Sequence, residues 1–323
     1  MLRRCLFIIN SILLLMLCGC TDVRERLSPD VLAVDLRRSG AASFAACCTQ
    51  SGAAAVRAEG ESPLTLCAAL RAAAGKEIDA GHLSLLLLRG DPAAVLPDYL
   101  AMQVLMPTSA VLLCRSDPCR APETMPDAAQ LRAAVEAGML PARTADLILG
   151  DLQNGSGVSA IPYYMGSTLT LALCGISETY PVLTEDACRG LALLGNRWTA
   201  FSFRAGEDTV SAVRTHLRIT ASEDAEGALH FRLSGKVICR PEGIPSGGWL
   251  AAAQSAAARM LTAGCREPLE AGGADLLLLR ETAVRDGISD AADCTNAAWR
   301  ERLLHADFTA EITAEADPFA GIG

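Results

Sequence analysis

At 323 residues the chain is long enough for two or three domains, each with its own buried core. A formal charge of −9 with no Lys/Arg cluster excludes a nucleic-acid surface, which needs a basic face. Much of the 51% hydrophobic content is alanine and cysteine, aromatics are only 4%, and no apolar run reaches the ~20 residues of a membrane span.

The first twenty residues have the layout of an export signal. Arg3 and Arg4 precede an apolar run over 6–17, and a small residue, Gly19, precedes Cys20. Leu17-Cys18-Gly19-Cys20 resembles the lipobox of bacterial lipoproteins, although Cys18 stands where Ala, Ser or Thr is usual. That resemblance implies a signal peptide over 1–19, removal of which leaves Cys20 acylated and the rest tethered outside the cytoplasm. A plain secretory signal beside an incidental cysteine is the other reading. An acidic body gains little from anionic lipid, so a covalent anchor makes physical sense.

Beyond the anchor, 21–29 read as a polar stalk. Residues 31–34 and 42–48 read as a strand pair across an Arg-Ser-Gly turn. Ser62-Pro63 is expected to start a helix, with Leu66, Cys67, Leu70 and Ala74 on one face and Gly75 as its stop. The run 83–88, apolar but for Ser84, predicts a central strand covered on both faces. Helical stretches restart at Asp91-Pro92 and Pro97-Asp98, and 109–114 is the next strand, giving the pattern of an α/β layer. Two helices are expected over 126–137, closed by Gly138, and 141–152. Asn154-Gly155-Ser156-Gly157 then breaks the chain. In the second half, strands are expected over 169–174, 190–194, 198–203, 215–220 and 229–239, with a short helix over 207–213. Helices follow over 249–261, ended by Gly264, over 274–285, and up to Leu304. The last element, 308–316, alternates apolar and polar as a half-exposed strand does.

Chemistry has little to stand on. Thirteen cysteines include no C-x-x-C pair; Cys47 and Cys48 would point to opposite faces of a strand, and Cys114 and Cys119 are spaced for a small disulfide loop, although buried free thiols account for most such residues. His82 follows Gly81 before the buried strand and reads as a structural or interface histidine rather than a base or ligand. His216, His230 and His305 stand apart, with no metal spacing between them. Gly155-Ser156-Gly157 follows a helix, not a strand, and so makes a poor dinucleotide loop. Asp22, Asp35 and Asp275 are single carboxylates whose partners sequence does not identify. Trp198, Trp249 and Trp299 read as core positions, with a ligand-lining role as the alternative. No catalytic residue, cofactor site or metal site is expected.

Taken in order, these features resemble the Ger(x)C lipoproteins, the C subunits of bacterial spore nutrient-germinant receptors. Cys20-Thr21-Asp22-Val23-Arg24-Glu25 is similar to the family's Cys-Trp-Asp-x-Arg-Glu, with Thr21 in place of Trp. The similarity continues through 75–83 and Leu96-Pro97-Asp98-Tyr99-Leu100. Residues 190–194 with Trp198 and Phe201 look like the family's paired strands, with Glu207 opening the next helix. Asp275, the stretch 299–308, the alternating strand and a Gly-rich tail complete it; the middle segments are shorter than the family's and the strands after Val34 weaker.

The resemblance implies an α+β, multi-domain, non-catalytic lipoprotein with mixed sheets packed against helices. It would sit on the outer face of the inner spore membrane and act with the integral-membrane A and B subunits, which respond to nutrients. The expected division is 1–19 signal peptide, 20–156 N-terminal α/β domain and 157–323 C-terminal α+β domain, the last divisible at 205/206. An extracytoplasmic solute-binding lipoprotein delivering a small ligand to a transporter is the alternative, against which the strand-rich second half argues.

Overall fold

The structure is a computed structural model that describes residues 26–37, 39–48, 54–153, 157–175, 180–195 and 201–318. Cys20, Asp22, residues 154–156 and Trp198 lie outside the described residues. The fold is mixed α+β, with three sheets packed against helices.

The largest sheet has seven strands in the order β4-β3-β2-β6-β7-β8-β9. Its middle is parallel. Strand β2 (Val31–Leu36) pairs with β6 (Leu85–Arg89), β6 with β7 (Ala110–Cys114), and β7 with β8 (Ser159–Tyr164). Antiparallel strands close it: β3 (Ala42–Cys47) and β4 (Val56–Gly60) on one side, β9 (Leu169–Cys174) on the other. Strand β8 meets β7 only at Tyr163 and Tyr164, beyond Pro162, which has no N–H to give a ladder.

The run around β6 is the covered central strand that its composition predicts. Leu85 and Leu87 enter the core on one face, and Leu86 and Leu88 the core on the other. Helices α1 (Leu66–Ala74), α2 (Leu96–Ala101) and α4 (Ala145–Gln153) cover the second face; α3 (Ala128–Glu136) covers the first. Gly75 caps α1 at φ 64°, as expected, while Ser62 makes no side-chain cap and Cys67 is exposed. Asp127 and Gln130 form a reciprocal capping box at the start of α3. Helix α4 starts four residues later than expected, and Leu147 on it is exposed.

The stalk is shorter than the sequence suggests. Strand β1 (Arg26–Leu27) pairs in parallel with β5 (Glu77–Ile78) as the two-stranded sheet, so the chain is docked from Arg26 onward.

The second half is where expectation and structure diverge. Residues 190–194 are not a strand; they lie inside α5 (Glu185–Gly195). Thr184 accepts from the Ala187 N–H at its start, and Glu185 and Asp186 favour the positive end of the helix dipole. Residues 207–213 are not a helix; they open β11 (Asp208–Glu223), which turns back on β10 (Phe201–Ala205) around Gly206 at φ 66°. Strand β12 (Leu229–Pro241) and strand β13 (Asp307–Ala316) complete a four-stranded sheet in the order β10-β11-β12-β13. Helix α6 (Trp249–Gly272) runs past Gly264 and past Pro268. Residues 274–278 are not helical, and α7 is Leu279–Arg285. Short helix α8 (Asp290–Asp293) and α9 (Asn296–Leu304) lead into β13.

Strands β8 and β9 follow the glycine break yet complete the seven-stranded sheet, which thus draws on residues either side of 156. Most of the buried residues from 201 on gather in a third core beneath the four-stranded sheet. Helix α5 serves both units. Ala187, Cys188 and Leu191 enter a core of the first sheet, and Leu193 enters that of the second.

Helix α5 crosses α6 where two glycines meet. A Cβ on Gly190 would stand 1.9 Å from the Met260 carbonyl oxygen, and one on Gly264 would stand 2.9 Å from Gly190 C. Both obstacles are backbone and cannot swing aside. Gly190→Ala and Gly264→Ala should therefore each destabilise by about 2 kcal/mol or more, measured by urea denaturation. Gly150→Ala, on α4 with open space around it, should stabilise by up to about 1 kcal/mol in the same assay.

Candidate functional site

A cavity of about 520 Å³ lies where α6 hands over to α7. Gly272 ends α6 and Gly273 caps it at φ 60°. The bare Cα of Gly273 lets the Arg300 side chain lie against it, since a Cβ there would come within 1.7 Å of Arg300 Nε. Arg300 Nη2 donates to the Gly272 carbonyl. Two residues on, Asp275 turns the chain into α7, its carboxylate accepting from Leu279 N–H at 2.8 Å and Arg280 N–H at 3.1 Å. Leu278, between them, is held at φ 54°, a strained conformation for a branched side chain, and is exposed.

Arg280 fastens the floor of the cavity. Its guanidinium donates to Ala291 O at 2.8 Å, to Asn296 Oδ1 at 2.6 Å and to Cys294 O, tying α7 to the loop before α9. Trp299 is buried at 4% exposure, and its indole N–H has no hydrogen-bond partner. Burial pushes the Asp275 carboxyl above its ordinary pKa, and the N–H groups of Leu279 and Arg280, then the indole, oppose the rise. Glu281 and, from α4, Asp151 also line the space. Two guanidinium groups thus share one cavity with three carboxylates. Nothing in it pairs a nucleophile with a base.

The other sequence candidates are scattered. His82 is exposed in a short 3-10 turn whose Gly81 N–H is held by Asp79. His216 is exposed on β11, His230 sits 3.2 Å from Asp224, and His305 sits 3.2 Å from Glu301. Among the described residues no three His, Cys, Asp or Glu side chains gather to hold a metal. Asp35 has the partner that sequence could not name: buried on β2, it receives two bonds at 2.5 and 2.6 Å from Arg89, its register neighbour on β6. Asp275 and Trp299 do meet, as fold positions that also line the cavity, and Trp249 packs half-buried against the third core. Arg300, Gly273, Leu278 and Glu281 were missed; the Gly272-Gly273 pair was the signal available for them.

Cys114 and Cys119 are free thiols, so the small disulfide loop does not form. Burial pushes the thiols of Cys114, Cys239 and Cys265 up to about 12, far from the thiolate that reacts.

No protein-family profile matches the chain, and no curated protein sequence does. A solved structure does: the crystal structure of the GerBC protein aligns with TM-score 0.54 and 12% identity, over 88% of this chain and 96% of that one. The chain has a GerC-like fold. At that identity the likeness is one of architecture, mixed sheets against helices in the same arrangement.

Two measurements follow from the site. Because the folded Asp275 carboxyl titrates above its unfolded value of 3.8, the stability it contributes is full below that pH and is lost as pH rises through the raised value. Asp275→Asn should therefore gain on the wild type in urea denaturation as pH rises above about 4. Among the described cysteines, a disulfide reagent at neutral pH should label exposed Cys67 at once and Cys114, Cys239 and Cys265 only after unfolding.

Proposed function

We propose that this chain is the lipid-anchored C subunit of a spore nutrient-germinant receptor, supporting assembly and signalling rather than catalysing a reaction. The observation that carries this reading is the GerC-like fold over 88% of the chain. The lipobox-like 17–20 stretch supports it independently, and no helix among the described residues is long and apolar enough to cross a membrane. The body would be held outside the cytoplasm, on the inner spore membrane, by acyl chains on Cys20. One chain binds only marginally, so two or more are needed for firm attachment. Its partners would be the integral-membrane A and B subunits. Tethering raises their effective concentration, so modest interfaces suffice. Strand β13, at the edge of the four-stranded sheet, offers edge backbone for such a contact, apart from the Ala314 N–H, which donates to Gln254 Oε1 at 3.4 Å. The sharing of the large sheet by residues either side of 156 favours 205/206 over 156/157 as the domain division.

Cys20→Ala should abolish incorporation of labelled palmitate; persistent label would refute the anchor. Affinity capture of the native chain from spore membranes should recover the A and B subunits. Loss of the chain should block nutrient-triggered dipicolinate release and spare a receptor-independent trigger.

One observation favours the solute-binding alternative: the mixed-charge cavity at Asp275 and Trp299. That reading requires the purified chain alone to bind an amino acid or sugar in calorimetry. Such binding without recovery of receptor subunits would displace the receptor reading.

A further inference from the structure

The parallel strands of the large sheet begin in register. Val31 pairs with Leu85, and Leu85 with Ala110, so the starts of β2, β6 and β7 form one row. The segments entering these strands are stitched together. Asp79 N–H donates to Leu27 O, Ser84 N–H to Asp30 O, Ala110 N–H to Ser84 O, and Ser109 Oγ to Leu83 O. This end of the sheet therefore holds both β1, where the chain arrives from its N-terminus, and the loop from α2 to β7.

That loop is unusual for this surface. Between Asp98 and Arg115 the chain carries no charged residue, in a protein that is 20% charged. Its stretches 101–103 and 106–108 are exposed, with Met102 at 43% and Met106 at 45%. Gln103, at φ 56°, turns the backbone between them. The start of α4 packs beside it, through Asp146 N–H to Pro107 O, and adds Leu147 at 48% exposure. Asp98 and Asp146 are the carboxylates at its margins.

We propose that this loop, with Leu147, lies in the interfacial layer of a lipid bilayer. The proposal rests on the Cys20 anchor. Residues 21–25 separate Cys20 from β1, so the leash spans at most about 20 Å. Strand β7 lies two strands from β2, about 10 Å along the sheet. The leash is thus too short to let this end of the sheet stand far from the bilayer, and the apolar side chains found here gain by entering it. The carboxylates at the margin stay at headgroup level.

The test uses the full lipidated chain in phosphatidylcholine vesicles with brominated acyl chains. Met106→Trp is read by tryptophan emission after subtraction of the wild-type signal, with Met102→Trp as a second reporter. Ile244→Trp, in the loop after β12 and 99% exposed, serves as control. Palmitate incorporation is measured on the same samples. The expected result is a blue shift and loss of emission at positions 102 and 106, with none at 244. Full palmitate labelling without quenching at 102 or 106 overturns the proposal while leaving the anchor intact, and assigns the loop to a protein partner instead. Equal quenching at 244 also overturns it. Absence of palmitate shows the anchor reading itself has failed, and the proposal falls with it.

Discussion

The arrangement of the two large sheets depends on one contact, the crossing of α5 and α6 at Gly190 and Gly264. Backbone meets backbone there, within distances that leave no room for a methyl group. The closeness lets one helix bury residues in both units: Leu191 beneath the seven-stranded sheet and Leu193 beneath the four-stranded one. Side chains on opposite faces of α5 thus tie cores that are otherwise built from separate stretches of chain. A larger residue at either glycine would push the helices apart and loosen both cores together, because close-packed interiors transmit such strain.

The same crossing explains what sequence could and could not reveal. The first unit was legible because its signals are local. The run 83–88 has strand length and ends at Arg89-Gly90, Gly75 and Gly138 stop helices at positive φ, and β2 and β3 are joined by a short turn. Residues 190–194 misled because a five-residue apolar run suits either state. What decided the matter was tertiary: Gly190 is small because α6 lies against it. Residues 207–213 misled in the other direction. Their short polar opening looks like a helix start, but a tight turn at Gly206 sends them back along β10.

The cavity was legible only in fragments. Asp275 and Trp299 stood out by residue type, yet the features that build the space are relational. Gly273 matters because Arg300 packs on it, and Arg280 because it holds three backbone or amide oxygens from the α8–α9 segment. Likewise Asp35 and Arg89 are 54 positions apart and become a pair only once β2 and β6 lie side by side. Arg89 is partly exposed while Asp35 is not, so the pair meets at a boundary where the carboxylate alone is taken out of water. Removing the arginine would leave that buried charge unmatched, which is the costly case for ion pairs of this kind.

Strand β13 shows how a distant segment finds its register. It arrives after α6, α7, α8 and α9 to pair in parallel with β12. On the inner face Phe308 stacks on its register partner Phe231, with ring centres 5.3 Å apart. On the outer face Arg232 pairs with Glu311 and Lys236 with Glu315, each acid two residues beyond the direct partner of the base. Exposed ion pairs of this sort contribute little stability singly. Their value here is selective. A slip of one residue would turn Phe308 and Ile312 to solvent and carry Glu311 and Glu315 into the core, so burial and charge reject the same error. The outer face across β12 and β13 is left polar, bridged by these two ion pairs.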